Sequence, residues 1–152
     1  MLRQRLNDTL KDAMRARAER KVSTIRLINA ALKDRDIQAR TNGNAEGISD
    51  EDILGLLQSM VKQRRDSIEA YAKGGRPDLA QQEAEEISFI ESFLPTPLTE
   101  DETKAAISVA IEKSNADCIK DMGKVMAYLK DHYAGRMDFS KAAGKVKAQL
   151  NV

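Results

Sequence analysis

Phe93-Leu94-Pro95-Thr96-Pro97-Leu98-Thr99-Glu100-Asp101-Glu102 decides how this chain is built. Pro95 and Pro97 cannot both sit inside a continuing helix, because each lacks an amide hydrogen and disfavours helical geometry in the residue before it. A helical segment therefore ends near Leu94. Directly afterwards, Thr99 to Glu102 has the form of a capping box: the Thr99 hydroxyl accepts from the third helical amide while Glu102 reaches back. The joint separates an N-terminal domain, residues 1–94, from a small C-terminal domain, residues 98–152.

Upstream, the apolar spacing reads as about four helices. Leu2, Leu6, Leu10 and Met14 keep one face of the first, with Arg3, Arg5, Lys11, Arg15 and Arg17 on the others. Ser23 or a residue just before it caps the second, whose stripe is Ile25, Ile28, Ala31 and Leu32 and whose polar tail runs from Lys33 to Arg40. The glycines and asparagines of residues 41–47 mark a loop between antiparallel helices. Ser49 with Asp50, Glu51 and Asp52 supplies a cap and three acids in a first turn, where the helix dipole favours negative charge. The third helix then shows Ile53, Leu56, Leu57, Met60, Val61, Ile68 and Tyr71 inward, and Lys62, Arg64, Arg65 and Asp66 outward, until Gly74-Gly75. Pro77 opens the fourth at the helical position that tolerates proline.

Downstream, three short helices make the C-terminal domain: one through Ile107, Ala110 and Ile111, one through Met122, Val125, Met126 and Leu129, and one capped by Asp138 or Ser140 through Ala142, Val146 and Leu150. The chain is thus all-α, a helical bundle of about four helices followed by a three-helix unit. With 152 residues, 4% aromatics, no tryptophan and 32% charged side chains, the composition is that of amphipathic helices and offers no base-stacking platform.

The net charge of +1 hides a segregated distribution. Residues 1–40 hold eleven Lys or Arg against five acids, residues 77–102 hold eight acids and no base, and residues 103–152 carry a net +4. Two readings fit: a polyanion-facing surface, or helices that neutralise one another across the bundle. One cysteine, Cys118, excludes an internal disulfide and fits a reducing compartment. Apolar runs fall far short of the roughly 20 residues that span a bilayer. Residues 1–21 are too charged for a secretory signal, and Asp8, Asp12 and Glu19 argue against a transit peptide, so a cytoplasmic protein is expected.

His132 is the sole histidine, so a two-histidine metal site is excluded and any triad would have to use it. A buried Cys118 and a surface His132 are expected. Walker and dinucleotide glycine patterns are absent, and the acidic clusters coincide with helix starts or solvated faces. No catalytic residue, metal or cofactor is expected. Gly123, near the start of a helix, implies close approach by another helix or by a ligand backbone. Gly135 suits a left-handed stop that leaves Arg136 on an exposed turn. Arg136, with Lys120, Lys124, Lys141 and Lys145, forms the candidate phosphate-binding set.

Five segments in this order, Ile25-Arg26-Leu27-Ile28, Lys62-Gln63-Arg64-Arg65-Asp66-Ser67, Leu94-Pro95 with Leu98-Thr99-Glu100, Asp121 to Met126, and Gly135-Arg136-Met137-Asp138, resemble the GatB/YqeY family. That family comprises free-standing YqeY-like proteins and the C-terminal tail of the GatB subunit of the glutamine-dependent Asp-tRNA/Glu-tRNA amidotransferase. The resemblance implies an all-helical, two-part fold and contact with tRNA, the small distal part being prominent in it. It also attaches carbon-nitrogen ligase activity with glutamine as amido-N-donor, although the sequence lacks the large catalytic region of the amidotransferase subunit. Met137 and Phe139 depart from the small residues usual on either side of the aspartate. The resulting expectation is a non-catalytic tRNA-binding or amidotransferase-associated protein, its partner tRNA or a tRNA-modifying or aminoacylating enzyme. The alternatives are an accessory component of transamidation, and a protein-interaction adaptor that docks through Met60, Met122, Met126 and the long helices.

Overall fold

The computed structural model describes residues 1–150, which form seven α-helices and one 3-10 turn, with no strand among the described residues. The chain divides into two compact units, Met1–Pro95 and Thr96–Val152.

In the first unit, α1 (Leu2–Arg15), α2 (Glu19–Thr41), α3 (Asp50–Lys73) and α4 (Pro77–Glu91) pack around Leu6, Ile25, Ile28, Ile53, Leu57 and Ile90, all fully buried. Each such side chain contributes about 1.5–3 kcal/mol by leaving water. The α3–α4 hairpin is its most extensive contact. Gly75 makes that turn at φ +71°, a region that costs glycine nothing, and Arg76 N–H donates to Tyr71 O at 2.8 Å. Ser49 Oγ accepts from Asp52 N–H and Pro77 occupies the first turn of α4, each a local signal expressed as read.

Two N-terminal expectations are corrected. Met14 is half exposed and Ala13 takes its place in the core. A four-residue step advances the face by about 40°, so after three steps Met14 has swung off the stripe that Leu2 begins, while position 13 has returned to it. The second helix starts earlier than Ser23, at Glu19, and Ser23 Oγ donates to Arg20 O instead of capping.

The second unit packs α5 (Glu100–Lys113), α6 (Met122–Tyr133) and α7 (Phe139–Leu150) around Ile107, Ala110, Val125, Leu129 and Val146, with the 3-10 turn Ile119–Asp121 before α6. Short helices depend on their ends. The α5 capping box is complete, Glu102 N–H to Thr99 Oγ1 at 3.1 Å and Thr99 N–H to Glu102 Oε1 at 3.3 Å. Asp138, rather than Ser140, caps α7: its Oδ1 accepts from the amides of Ser140 and Lys141 at 3.0 and 3.3 Å.

Candidate nucleic-acid interface

The segregated charge is partly spent inside the first unit. Arg64 is only 12% exposed and directs its guanidinium at α4, Nε lying 2.9 Å from Glu86 and 4.0 Å from Glu83. It is therefore not on the outer face of α3, as its sequence position implied. Arg65 reaches Glu91 at 3.0 Å and Arg20 reaches Glu85 at 3.1 Å. Burial, aided by the neighbouring Glu86, pushes the Glu83 carboxyl up from its ordinary value. For α4, mutual neutralisation is the reading the structure bears out.

A second network joins distant parts of the same unit. Arg3 grips Asp36 with two hydrogen bonds of 2.6 and 2.7 Å and donates to Ile48 O at 2.9 Å, while Ile48 N–H donates to Asp36 at 3.0 Å. The Arg3 hydrogen bonds hold the Asp36 carboxyl below its usual range. Gly47 makes this possible: at φ +95°, a Cβ there would lie 2.7 Å from Asp36 Oδ1 and 2.8 Å from Arg3 Nη2. Nothing in the sequence pattern paired residues 33 positions apart.

The five candidate phosphate ligands of the second unit fare differently. Lys120 is exposed on the 3-10 turn, and Lys124 is exposed with Nζ 3.9 Å from Asp121. Asp121 also accepts the Asp117 amide at 3.1 Å, the main cause of its lowered pKa. Lys141 and Lys145 sit one turn apart on α7 and form no ion pair among the described residues. Gly135 does adopt the left-handed conformation, φ +79°. Arg136 beside it is half-buried rather than freely exposed: Nε donates to Thr96 O and its carbonyl accepts from Leu98 N–H, both at 2.9 Å. It thus fastens the segment after Pro95 to the second unit. Lys120 and Lys124 lie at the start of α6, whereas Lys141 and Lys145 lie on α7.

Gly123 is exposed, and a Cβ there would meet nothing within 4 Å, so neither a packed helix nor a narrow ligand cleft requires it. Cys118 is exposed, not buried, its Sγ 3.9 Å from Asp121 Oδ2. His132 is on the surface as expected, stacked on Tyr128 at 4.1 Å with Nδ1 2.9 Å from Tyr128 O, and is no partner of Cys118. Among the described residues no group of His, Cys, Asp or Glu is placed to hold a metal. None of their helices is long and apolar enough to cross a membrane. The methionines proposed for docking face inward: Met60 is buried in the first core, and Met122 and Met126 pack against the second.

Compared with known proteins, residues 3–150 match the family described as Yqey-like protein. "Altered inheritance of mitochondria protein 41, mitochondrial" of Lachancea thermotolerans is 29% identical over 151 residues, covering 95% of this chain and 76% of the relative. Its namesake in Kluyveromyces lactis is 24% identical over 94% of the chain and 72% of the relative. That in Vanderwaltozyma polyspora is 34% identical over 59% of the chain, which spans only about half of that relative, 46%. These names overturn the cytoplasmic expectation, since the relatives that resemble the chain along most of its length are designated mitochondrial. The acids among residues 1–21 that argued against a transit peptide belong to the folded helices α1 and α2 and carry no information about targeting.

Proposed function

This chain belongs to the Yqey-like protein family, and from that premise we propose that it is a non-catalytic helical protein that binds tRNA through the phosphate backbone, in association with tRNA amidation. The observation that supports this reading is the residual charge of the second unit. Between Cys118 and Leu150 there are seven Lys or Arg and three acids. Asp121 and Asp138 accept backbone amides, whereas Lys120, Lys141 and Lys145 have no carboxylate partner among the described residues. Ammonium groups without carboxylate partners, two of them on α7 with its Asp138 cap, suit phosphate oxygens and supply positioning rather than base recognition. The mitochondrial designation of the relatives makes that compartment the setting proposed for this chain.

The test is a mobility shift with bulk tRNA at low and moderate salt. Counterion release makes the affinity fall steeply as salt rises. Retardation that weakens in this way is expected, and no retardation even at low salt overturns the reading. In a transamidation assay the purified protein alone is expected to form no product.

A further inference from the structure

We propose that the outer face of α2, in the first unit, is a second phosphate-contacting surface for RNA, in addition to the lysines of the second unit. This rests on the RNA-binding reading above. Arg26, Lys33 and Arg40 follow one another at seven-residue spacing, are all exposed, and form no ion pair among the described residues. Seven residues are nearly two turns, so the three cations stand on one face about 10.5 Å apart. A row of cations about 21 Å long on one face is placed to meet several phosphates of a nucleic-acid backbone.

Arg17 extends the row. It occupies the turn between α1 and α2 at φ +55°, where glycine is the usual residue, and it shares one shallow depression with Met14, Glu19 and Arg26. Glu19 is the acid that lines this depression. Further along, Asp34 is exposed beside Lys33, and Asp36 is bound by Arg3 and also feels the charge of Arg40. Four cations against Glu19 and Asp34 leave this face net positive, whereas Arg64 and Arg65 of α3 are paired with α4.

The same face argues against a lipid surface. The apolar side of α2, with Ile25, Ile28 and Leu32, is buried in its own core, which leaves exposed only the scattered Leu27, Ala30 and Ile37, with Met14 beside Arg17, and no aromatic. Membrane-surface helices need a broad apolar face, and base recognition in single strands needs stacking rings. What remains is sequence-independent contact with the RNA backbone.

The experiment compares salt dependence of bulk tRNA binding for the full chain, for Arg17→Gln/Arg26→Gln/Lys33→Gln/Arg40→Gln, and for Lys141→Gln/Lys145→Gln. Removing four phosphate contacts is expected to reduce the slope of log affinity against log salt by about 3, and the α7 pair by about 1.5. If the full chain binds and the α2 variant keeps its slope, this inference is overturned while RNA binding stands. If the full chain does not bind, both fall. Should the fourfold variant melt early, Arg26→Gln and Lys33→Gln are measured singly, each expected to lower the slope by about 0.8, and unchanged slopes again overturn the inference. Loss of binding to phosphatidylserine vesicles with tRNA binding intact assigns the face to lipid and overturns it too.

Discussion

Arg64 and Arg65 of α3 reach Glu86 and Glu91 of α4 at 2.9 and 3.0 Å, whereas Lys141 and Lys145 of α7 reach no carboxylate among the described residues. Both are pairs of cations on amphipathic helices, and their surroundings give them opposite uses. In the first unit an acidic helix packs against a basic one and cross-links it, and the core is broad. In the second the helices are 12 to 14 residues long, α5 and α7 start on side-chain caps, and Lys141 and Lys145 are left without ion pairs among the described residues. A basic stretch is thus a structural zip or a free surface according to what packs against it.

The largest expected effect breaks that contrast directly. Arg64→Ala removes the partner of Glu86 and leaves two carboxylates half-buried between α3 and α4, at a cost of about 2–4 kcal/mol in urea denaturation. Lys141→Ala, at an exposed position without an ion pair among the described residues, is expected to change stability by less than about 0.5 kcal/mol. Equal losses would remove the distinction between spent and free charge.

Gly47 and Gly123 make a second contrast between filled and open surroundings. Gly47→Ala drives a Cβ into the Arg3–Asp36 pair at a positive φ, and is expected to cost about 2 kcal/mol. Gly123→Ala enters open space on a helix and is expected to stabilise by about 0.5–1 kcal/mol. A destabilising Gly123→Ala would show a contact that the structure lacks. Thr99→Ala, which opens the capping box of α5, is expected to cost about 1 kcal/mol, with amide exchange quickening first at Glu102 and Thr103.

What the sequence made legible was local. The Thr99 box, the Ser49 cap, Pro77 at a first turn and the left-handed Gly135 each depend on residues within one turn of chain, and each is present. What it hid was tertiary. The pattern places Arg64 on a polar face, but only the position of α4 turns that face inward. Arg136 reads as an exposed turn until the segment from Thr96 to Leu98 folds back to receive it. Gly123 was misread because a helical glycine has the same signature whether its space is filled or empty.

The smallest expected effect comes from titration, where two carboxyls of the first unit act in opposite directions. The Arg3 hydrogen bonds lower the Asp36 pKa from 3.8, so its contribution is present above that value and is lost as pH falls through the folded pKa. Burial raises that of Glu83 from 4.5, so its contribution is present below that value and is lost as pH rises through the folded pKa. Asp36→Asn should therefore be less stable than the wild type at neutral pH, the difference closing in acid. Glu83→Gln should be slightly more stable at neutral pH, because it keeps the Arg64–Glu86 pair and removes the charge that burial and Glu86 oppose. That gain should vanish as pH drops below the ordinary glutamate range. Urea midpoints from pH 3 to pH 7 for both variants measure the two slopes, and a Glu83→Gln protein that loses stability at neutral pH would make Glu83 a working member of the α3–α4 zip.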